Sequence, residues 1–415
     1  MSLTAASARG RTGGTLSGTG SGLGNGPDTR VVPAGVLPQA EAQFDDLSTW
    51  TVDADWADLG GSIQKSSGSV NAYAASPTIS IPAGDIWVAY TVKNATSGVL
   101  GVQLQGPFAN SPFNNRVTAQ HVARFSGPAH TRVRLSGNAS FDGTVEDLQA
   151  VDMTALLAQP SDIYIAAGQS LIAAESASDP VDPDLDYWVP RCLYLPGHTN
   201  NTYGTVAGTV AACVAPLQMR KTAQGVSPMT TFARQIERAT PEGRTILIVG
   251  VADGGTRLVG DDAEWNPDAT TGNGATLYNE AITQAQAALA LNPANQIKGI
   301  IWGQGESDRA PDIDTTYPPR FSAMIGGWRS ALSLPTLPVI LIGPMPDDTD
   351  TNQGLFIQTQ ERLDQDSGDP TSVANVHYVP RQAGYMSADG THPEPEGNRI
   401  AGRDAADAFI ALGTI

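Results

Sequence analysis

From about residue 40 to 150 the apolar positions come in short alternating runs, at 48–52, 78–81, 86–92, 99–104, 117–125, 131–135 and 145–151, with Gly, Asn, Ser and Pro between them. Period-two alternation puts every second side chain on one face, so runs of this length and spacing predict an all-β sandwich. After Pro160 the pattern changes. Strand-like runs at 162–167, 245–251, 297–302, 338–342 and 373–379 alternate with stretches of helical period. One such stretch, 275–291, sets Leu277, Ala281, Ala285, Ala288 and Leu289 on one face, and another near the C-terminus carries Ile400, Ala401, Ala405, Ala408, Phe409 and Leu412. This alternation predicts βαβ units and a three-layer α/β/α arrangement with a mostly parallel sheet. The first 38 residues crowd glycines and then Pro27, Pro33 and Pro38, and bury too little apolar surface to offset their ordering entropy. They read as a flexible lead or an assembly-docking arm, so the expected division is 1–38, a sandwich over 39–155, and the α/β region over 156–415.

In parallel sheets, ligand chemistry collects at the carboxyl ends of the strands. Four segments there carry suitable groups. After the first strand comes Gly168-Gln169-Ser170-Leu171. A serine between strand and helix either caps the helix or presents its hydroxyl at the rim of the sheet with its own N–H free to donate. After the strand at 245–251 comes Asp253-Gly254-Gly255-Thr256. Paired glycines there make an ordinary turn or let backbone approach a ligand and aim an N–H at it. After the next strand comes Gly303-Gln304-Gly305-Glu306-Ser307-Asp308. Its carboxamide is a candidate donor to a developing oxyanion, and its Glu306 a candidate to orient the loop or hold substrate hydroxyls. Near the C-terminus comes Asp389-Gly390-Thr391-His392, an aspartate placed to hold one imidazole nitrogen and leave the other as general base.

Together and in this order, the four blocks over about 160–415 resemble the SGNH (GDSL-like) hydrolases, and among them the sialate O-acetylesterase and carbohydrate esterase family six domains. The segment 225–233, Gly-Val-Ser-Pro-Met-Thr-Thr-Phe-Ala, is similar to that family's stretch between the first two blocks. The resemblance implies Ser170 as nucleophile, His392 as base and Asp389 as its orienter. It implies an oxyanion hole of the Ser170 and Gly255 N–H groups with the Gln304 side chain, and Gln169, Thr256 and Glu306 as substrate-binding or supporting residues. Neither metal nor cofactor is implied. The family usually has Asn where this chain has Leu171, and often Asn again where it has Asp308. The sandwich region resembles jelly-roll modules of carbohydrate-binding and phage tail proteins, most closely at residues 141–147, Phe-Asp-Gly-Thr-Val-Glu-Asp. Trp50, Trp56 and Trp87 either stack on sugar rings there or fill the sandwich core, the commoner use.

Composition then narrows the partners. Against 24 Lys and Arg stand 42 Asp and Glu, a net charge of −18. Such a surface repels phosphate backbones and anionic headgroups, which excludes nucleic acid, and it suits a neutral acetylated glycan better than a polyanionic one. With 40% apolar residues but no long uninterrupted apolar run, no membrane insertion is expected. Residues 1–26 lack the apolar core of a secretory signal. Cys192 and Cys213 are too few for a disulfide scaffold and form either one bridge or two buried thiols. His121, His130, His198 and His377 have no Asp or Cys at ligand spacing, which disfavours a metal site.

The leading expectation is therefore a serine esterase removing O-acetyl groups from a polysaccharide. The alternative is a phage or phage-like virion component, a tail fibre or head spike, that binds and trims host surface polysaccharide, with virion proteins or further copies of the chain as partners of the N-terminal region. Extracellular or virion-associated placement follows from either.

Overall fold

The computed structural model describes residues 49–413 except 60–61, 69–70, 106–108, 111–118, 174–180, 200–204, 218 and 221–224. The glycine-rich arm expected at 1–38 lies outside the described residues. Ten strands precede residue 153: β1 (Thr51–Val52), β2 (Trp56–Asp58), β3 (Ile63–Lys65), β4 (Ala72–Ala75), β5 (Gly84–Ser97), β6 (Leu100–Gln105), β7 (Ala109–Asn110), β8 (Ala119–Gly127), β9 (Arg132–Gly137) and β10 (Asp142–Asp152). They form two five-stranded antiparallel sheets, ordered β1-β4-β9-β6-β7 and β2-β3-β10-β5-β8. Both sheets feed one core, in which Ala72, Val102 and Leu135 of the first meet Ile63, Val88 and Val145 of the second. Trp50, Trp56 and Trp87 are all buried, so none of the three offers a sugar-stacking face. The expected run at 78–81 makes no strand. Pro77 and Pro82 flank it, each lacking an N–H for a ladder, and only Ile81 forms a bridge, with His130.

The second region is built on a seven-stranded sheet: β11 (Ser161–Gly168), β12 (Cys192–Pro196), β13 (Ala211–Ala212), β14 (Thr245–Gly250), β15 (Gln296–Gly303), β16 (Val339–Ile342) and β17 (Val376–Val379), in the order β13-β12-β14-β11-β15-β16-β17. All neighbours pair in parallel except the edge strand β13, which runs antiparallel to β12. Helices cover both faces. Along β11, Ile163, Ile165 and Ala167 pack with Leu277, Ala281 and Ala285 of the helix Thr276–Ala290 and with Phe321 and Trp328 of the helix Ile313–Ala331. The intervening Tyr164 and Ala166 face Phe232 of the helix Pro228–Glu237 and Phe409 of the helix Pro395–Ala411. A strand buried on both sides carries apolar residues at every position, as this one does.

β5 joins the two regions. Ile86, Val88, Tyr90 and Val92 point into the sandwich core, while Trp87 and Ala89 point the other way into the core that β11 shares. Trp87 stacks on Trp188 with centroids 5.5 Å apart, and Gln120 Oε1 of β8 accepts the Trp188 backbone N–H. Cys192 and Cys213 are buried free thiols, not a bridge, and burial pushes both up, Cys213 to about 12. Among the described residues no helix is long and apolar enough to cross a membrane.

Candidate active site

Three of the four sequence blocks follow β14, β11 and β15, which are neighbours in the sheet, so their carboxyl ends bring the blocks together without any long-range search. At the end of β11, Gly168 has φ +135° and lies so close to β15 that a Cβ there would sit 2.1 Å from the Gly303 carbonyl oxygen. Only glycine fits. Gln169 then donates its N–H to Gly303 O at 3.0 Å and accepts from Ile172 and Ala173, which turns the chain into the short helix Ser170–Ala173. Ser170 is thus the first helical residue, where its N–H has no intrahelical acceptor. Ser227 braces this turn from the next helix. Its hydroxyl donates to Ile172 O at 2.7 Å and accepts from Met229 N–H.

The Gly255 block is held to the Ser170 turn by Asp253 N–H donating to Gly168 O at 3.1 Å. Gly255 is exposed, with φ +74° and open space where a Cβ would be. Thr256 is buried. Its hydroxyl donates to Asp253 O and accepts from the Trp265 indole N–H at 2.9 Å. Thr256 therefore supports the loop from within. Gln169 is likewise internal, its Oε1 accepting the Gly305 N–H at 3.3 Å.

Gln304 needs a correction. Its carboxamide is buried, and Nε2 donates to Thr256 O at 2.9 Å and to Asp308 Oδ2 at 2.7 Å. A carboxamide has two N–H groups and both are used inside the protein, so the side chain holds no donor for an oxyanion. The orientation is fixed, because a carbonyl and a carboxylate can only accept. Asp308 also accepts from the Leu258 and Val259 N–H groups, at 2.9 and 3.0 Å. Burial pushes its carboxyl up, against the pull of those same hydrogen bonds.

Glu306 points into charge, not solvent. Burial pushes its carboxyl up, offset by its own loop's backbone and by the field of Arg381 and Arg309, and its Oε2 is buried with no hydrogen-bond partner among the described residues. Arg381, which the sequence did not single out, is buried and pushed down to about 10 by desolvation. Its guanidinium reaches Gly343 O at 3.1 Å, Asn398 Oδ1 at 3.0 Å and Leu171 O at 3.5 Å, tying the end of β16 and the C-terminal helix to the turn that carries Ser170. A lone arginine in a loop gives no periodic or motif signal by which it could have been found.

The fourth block is a tight loop after β17. Asp389 Oδ1 accepts from the Thr391 and His392 N–H groups, each at 2.9 Å, and from the Ser387 hydroxyl at 2.8 Å, while Oδ2 lies 2.8 Å from His392 Nδ1. Against a desolvation that pushes it up, these hydrogen bonds hold the Asp389 carboxyl well below the usual carboxylate range. An ionised carboxylate can only accept, so the Nδ1 facing it bears the proton and Nε2 is left as the basic nitrogen.

Residues 160–411 match the family described as "Carbohydrate esterase, sialic acid-specific acetylesterase". A curated relative, the probable 9-O-acetyl-N-acetylneuraminic acid deacetylase of Escherichia coli strain K12, is 31% identical over 109 residues, 24% of this chain and 33% of the relative. The chain thus spans about a third of the length of that relative. Among solved structures, an Arabidopsis thaliana protein aligns at 20% identity with a TM-score of 0.48, covering 61% of this chain and 98% of the other. A carbohydrate acetylesterase from Xanthomonas citri aligns at 19% identity with a TM-score of 0.42, over 80% of this chain and 72% of the other. With some three-fifths of its length inside the match, the chain belongs to the carbohydrate esterase, sialic acid-specific acetylesterase family.

Proposed function

We propose that the chain is a serine esterase that removes O-acetyl groups from a carbohydrate through an acyl-enzyme. Ser170 Oγ attacks the acetyl carbonyl while His392 Nε2 takes its proton, and the same imidazolium then protonates the sugar oxygen as its bond to the acyl carbon breaks, so that the sugar leaves as a free hydroxyl. Water, deprotonated by His392, releases acetate and restores Ser170. The N–H groups of Ser170 and Gly255 receive the oxyanion, each such donor contributing about 3 kcal/mol to the transition state. The observation that carries this reading is the Asp389 carboxylate 2.8 Å from Nδ1, which fixes the tautomer a general base needs. Gly168 and Gln169, by setting Ser170 at the first position of its helix, support the nucleophile's part.

The test is labelling by a serine-directed fluorophosphonate together with hydrolysis of p-nitrophenyl acetate, in wild type and Ser170→Ala. Wild type should do both and the variant neither. A wild type that neither labels nor hydrolyses, or a variant as active as wild type, overturns the assignment. The family's description names an acidic sugar, whereas the net charge of −18 favours a neutral one. Acetate release from 9-O-acetylated sialic acid and from acetylated neutral polysaccharide, compared by kcat/KM, decides between them.

A further inference from the structure

The Asp308 carboxylate does something an asparagine carboxamide cannot. It gathers three N–H groups: Leu258 and Val259 from the loop after β14, and Gln304 Nε2. Oδ2 takes Leu258 and Gln304, and Oδ1 takes Val259, so both oxygens must accept. Gln304 in turn spends its second N–H on Thr256 O. Residues 256, 258 and 259 are therefore held from the block after β15, while Asp253 is held by Gly168 O. Between these fixed points lies Gly255, exposed and in a left-handed conformation that glycine adopts freely. A glycine peptide in open space has no side-chain packing to orient it, so its direction is set by the anchors on either side.

We propose that Asp308 is a positioning residue which, directly and through Gln304, locks the 253–259 loop so that the Gly255 N–H faces the carbonyl under attack. This rests on reading Ser170 as nucleophile and Gly255 as donor. It assigns Gln304 to the lock and not to the oxyanion itself. Displacing an aimed donor by about 1 Å costs up to roughly a hundredfold in rate, so a loosened loop is expected to lower turnover without touching the groups that bind ground-state substrate.

The experiment compares wild type, Asp308→Asn, Gln304→Met and the double variant. Active sites are counted by the endpoint of fluorophosphonate titration, kcat and KM are measured on p-nitrophenyl acetate, and hydrogen–deuterium exchange is followed in peptides covering 253–259. Asp308→Asn turns one acceptor into a donor facing an N–H, and Gln304→Met removes both donors at nearly constant length. Expected are unchanged titration endpoints, a fall in kcat of tenfold or more per counted site, KM within about twofold, and faster exchange at 253–259. Because both residues act on one loop, the double variant should lose no more than about the larger single loss. Losses that multiply, with exchange unchanged, would mean that Gln304 donates to the oxyanion directly and would overturn the lock. So would faster exchange with kcat intact. Should Asp308→Asn not fold, exchange in Gln304→Met decides: faster at 253–259 supports the lock, and unchanged sinks it. Absence of labelling in wild type would instead strike the nucleophile assignment, with exchange at 253–259 still judging the lock.

Discussion

Replacing Asp389 by asparagine changes one interaction and leaves the rest of its loop in place. Asparagine keeps an oxygen at Oδ1, which can still accept from Thr391 N–H, His392 N–H and the Ser387 hydroxyl. What changes lies at the other oxygen, 2.8 Å from His392 Nδ1. An amide N–H there can only donate, so the ring must present Nδ1 as acceptor and carry its proton on Nε2, the nitrogen that should take the proton of Ser170. The general base is then lost by tautomer, not by displacement. In serine hydrolases such a swap costs roughly 10⁴ in kcat, which at 1.36 kcal/mol per decade is about 5 kcal/mol of transition-state stabilisation. The cost in stability is far smaller. The Asp389 side chain is 37% exposed, solvent screens its pairing with the ring, and the change should stay within about 1 kcal/mol. The assay is p-nitrophenyl acetate turnover per fluorophosphonate-counted site, with urea unfolding alongside. An Asp389→Asn variant that keeps more than a tenth of wild-type kcat would refute the tautomer argument. One that unfolds markedly earlier would show that the aspartate's main task is to shape the loop.

Three further outcomes follow from the same geometry. Gly168→Ala drives a methyl into the Gly303 carbonyl at 2.1 Å and should cost about 3 kcal/mol or more, whereas Gly255→Ala meets nothing and should cost only about 1 kcal/mol for its left-handed φ; urea midpoints showing the reverse order would contradict the strand-end packing. Trp87→Ala, which removes the ring stacked on Trp188, should cost about 3–5 kcal/mol and lower one common melting transition; calorimetry showing two separate transitions would mean that the sandwich and the α/β region do not share a core. Because the folded Asp389 carboxyl sits below its unfolded range near 4, its contribution is fully present above that range and is lost as pH falls through the folded value, so the stability gap between wild type and Asp389→Asn should close only below about pH 4. A gap that closes between pH 7 and 5 would place the titration on another group.

The longer strands were legible because period and burial agree. The run at 86–92, expected as an alternating strand of the sandwich, is a strand, but Ile86-Trp87-Val88-Ala89-Tyr90 is apolar at every position because the structure supplies a core on each face. The expected helices at 275–291 and near the C-terminus appear as Thr276–Ala290 and Pro395–Ala411, with Leu277, Ala281, Ala285, Ala401, Ala405 and Phe409 buried as their spacing predicts. β2, β3 and β4 were not legible. Runs of three or four residues do not span enough alternations to show a period, and β3 and β4 are placed by pairing with β10 and β9, far along the chain. β12 escaped for another reason. Its Cys-Leu-Tyr-Leu run ends at Pro196 and follows Pro190, which reads as a loop until β14 is available to pair with it.

The site divides along the same line between local and distant information. Ser170 at a strand-to-helix turn, Gly255 after β14 and Asp389 three residues before His392 are local patterns, and the sheet order brings the first two together because β11 and β14 are neighbours. Gln304 meets a different partner from the one its sequence suggests, because a carboxamide at a strand end offers the same two donors whether they face a substrate or a neighbouring loop. What decides is the acceptor. Thr256 O reaches it from the β14 loop and Asp308 Oδ2 from four residues further on, and once both are in place the donors are spent. The second of these acceptors is the Asp308 carboxylate. A carboxylate there lacks the N–H of a carboxamide, so it can collect three donors where asparagine would set an N–H of its own against one of them.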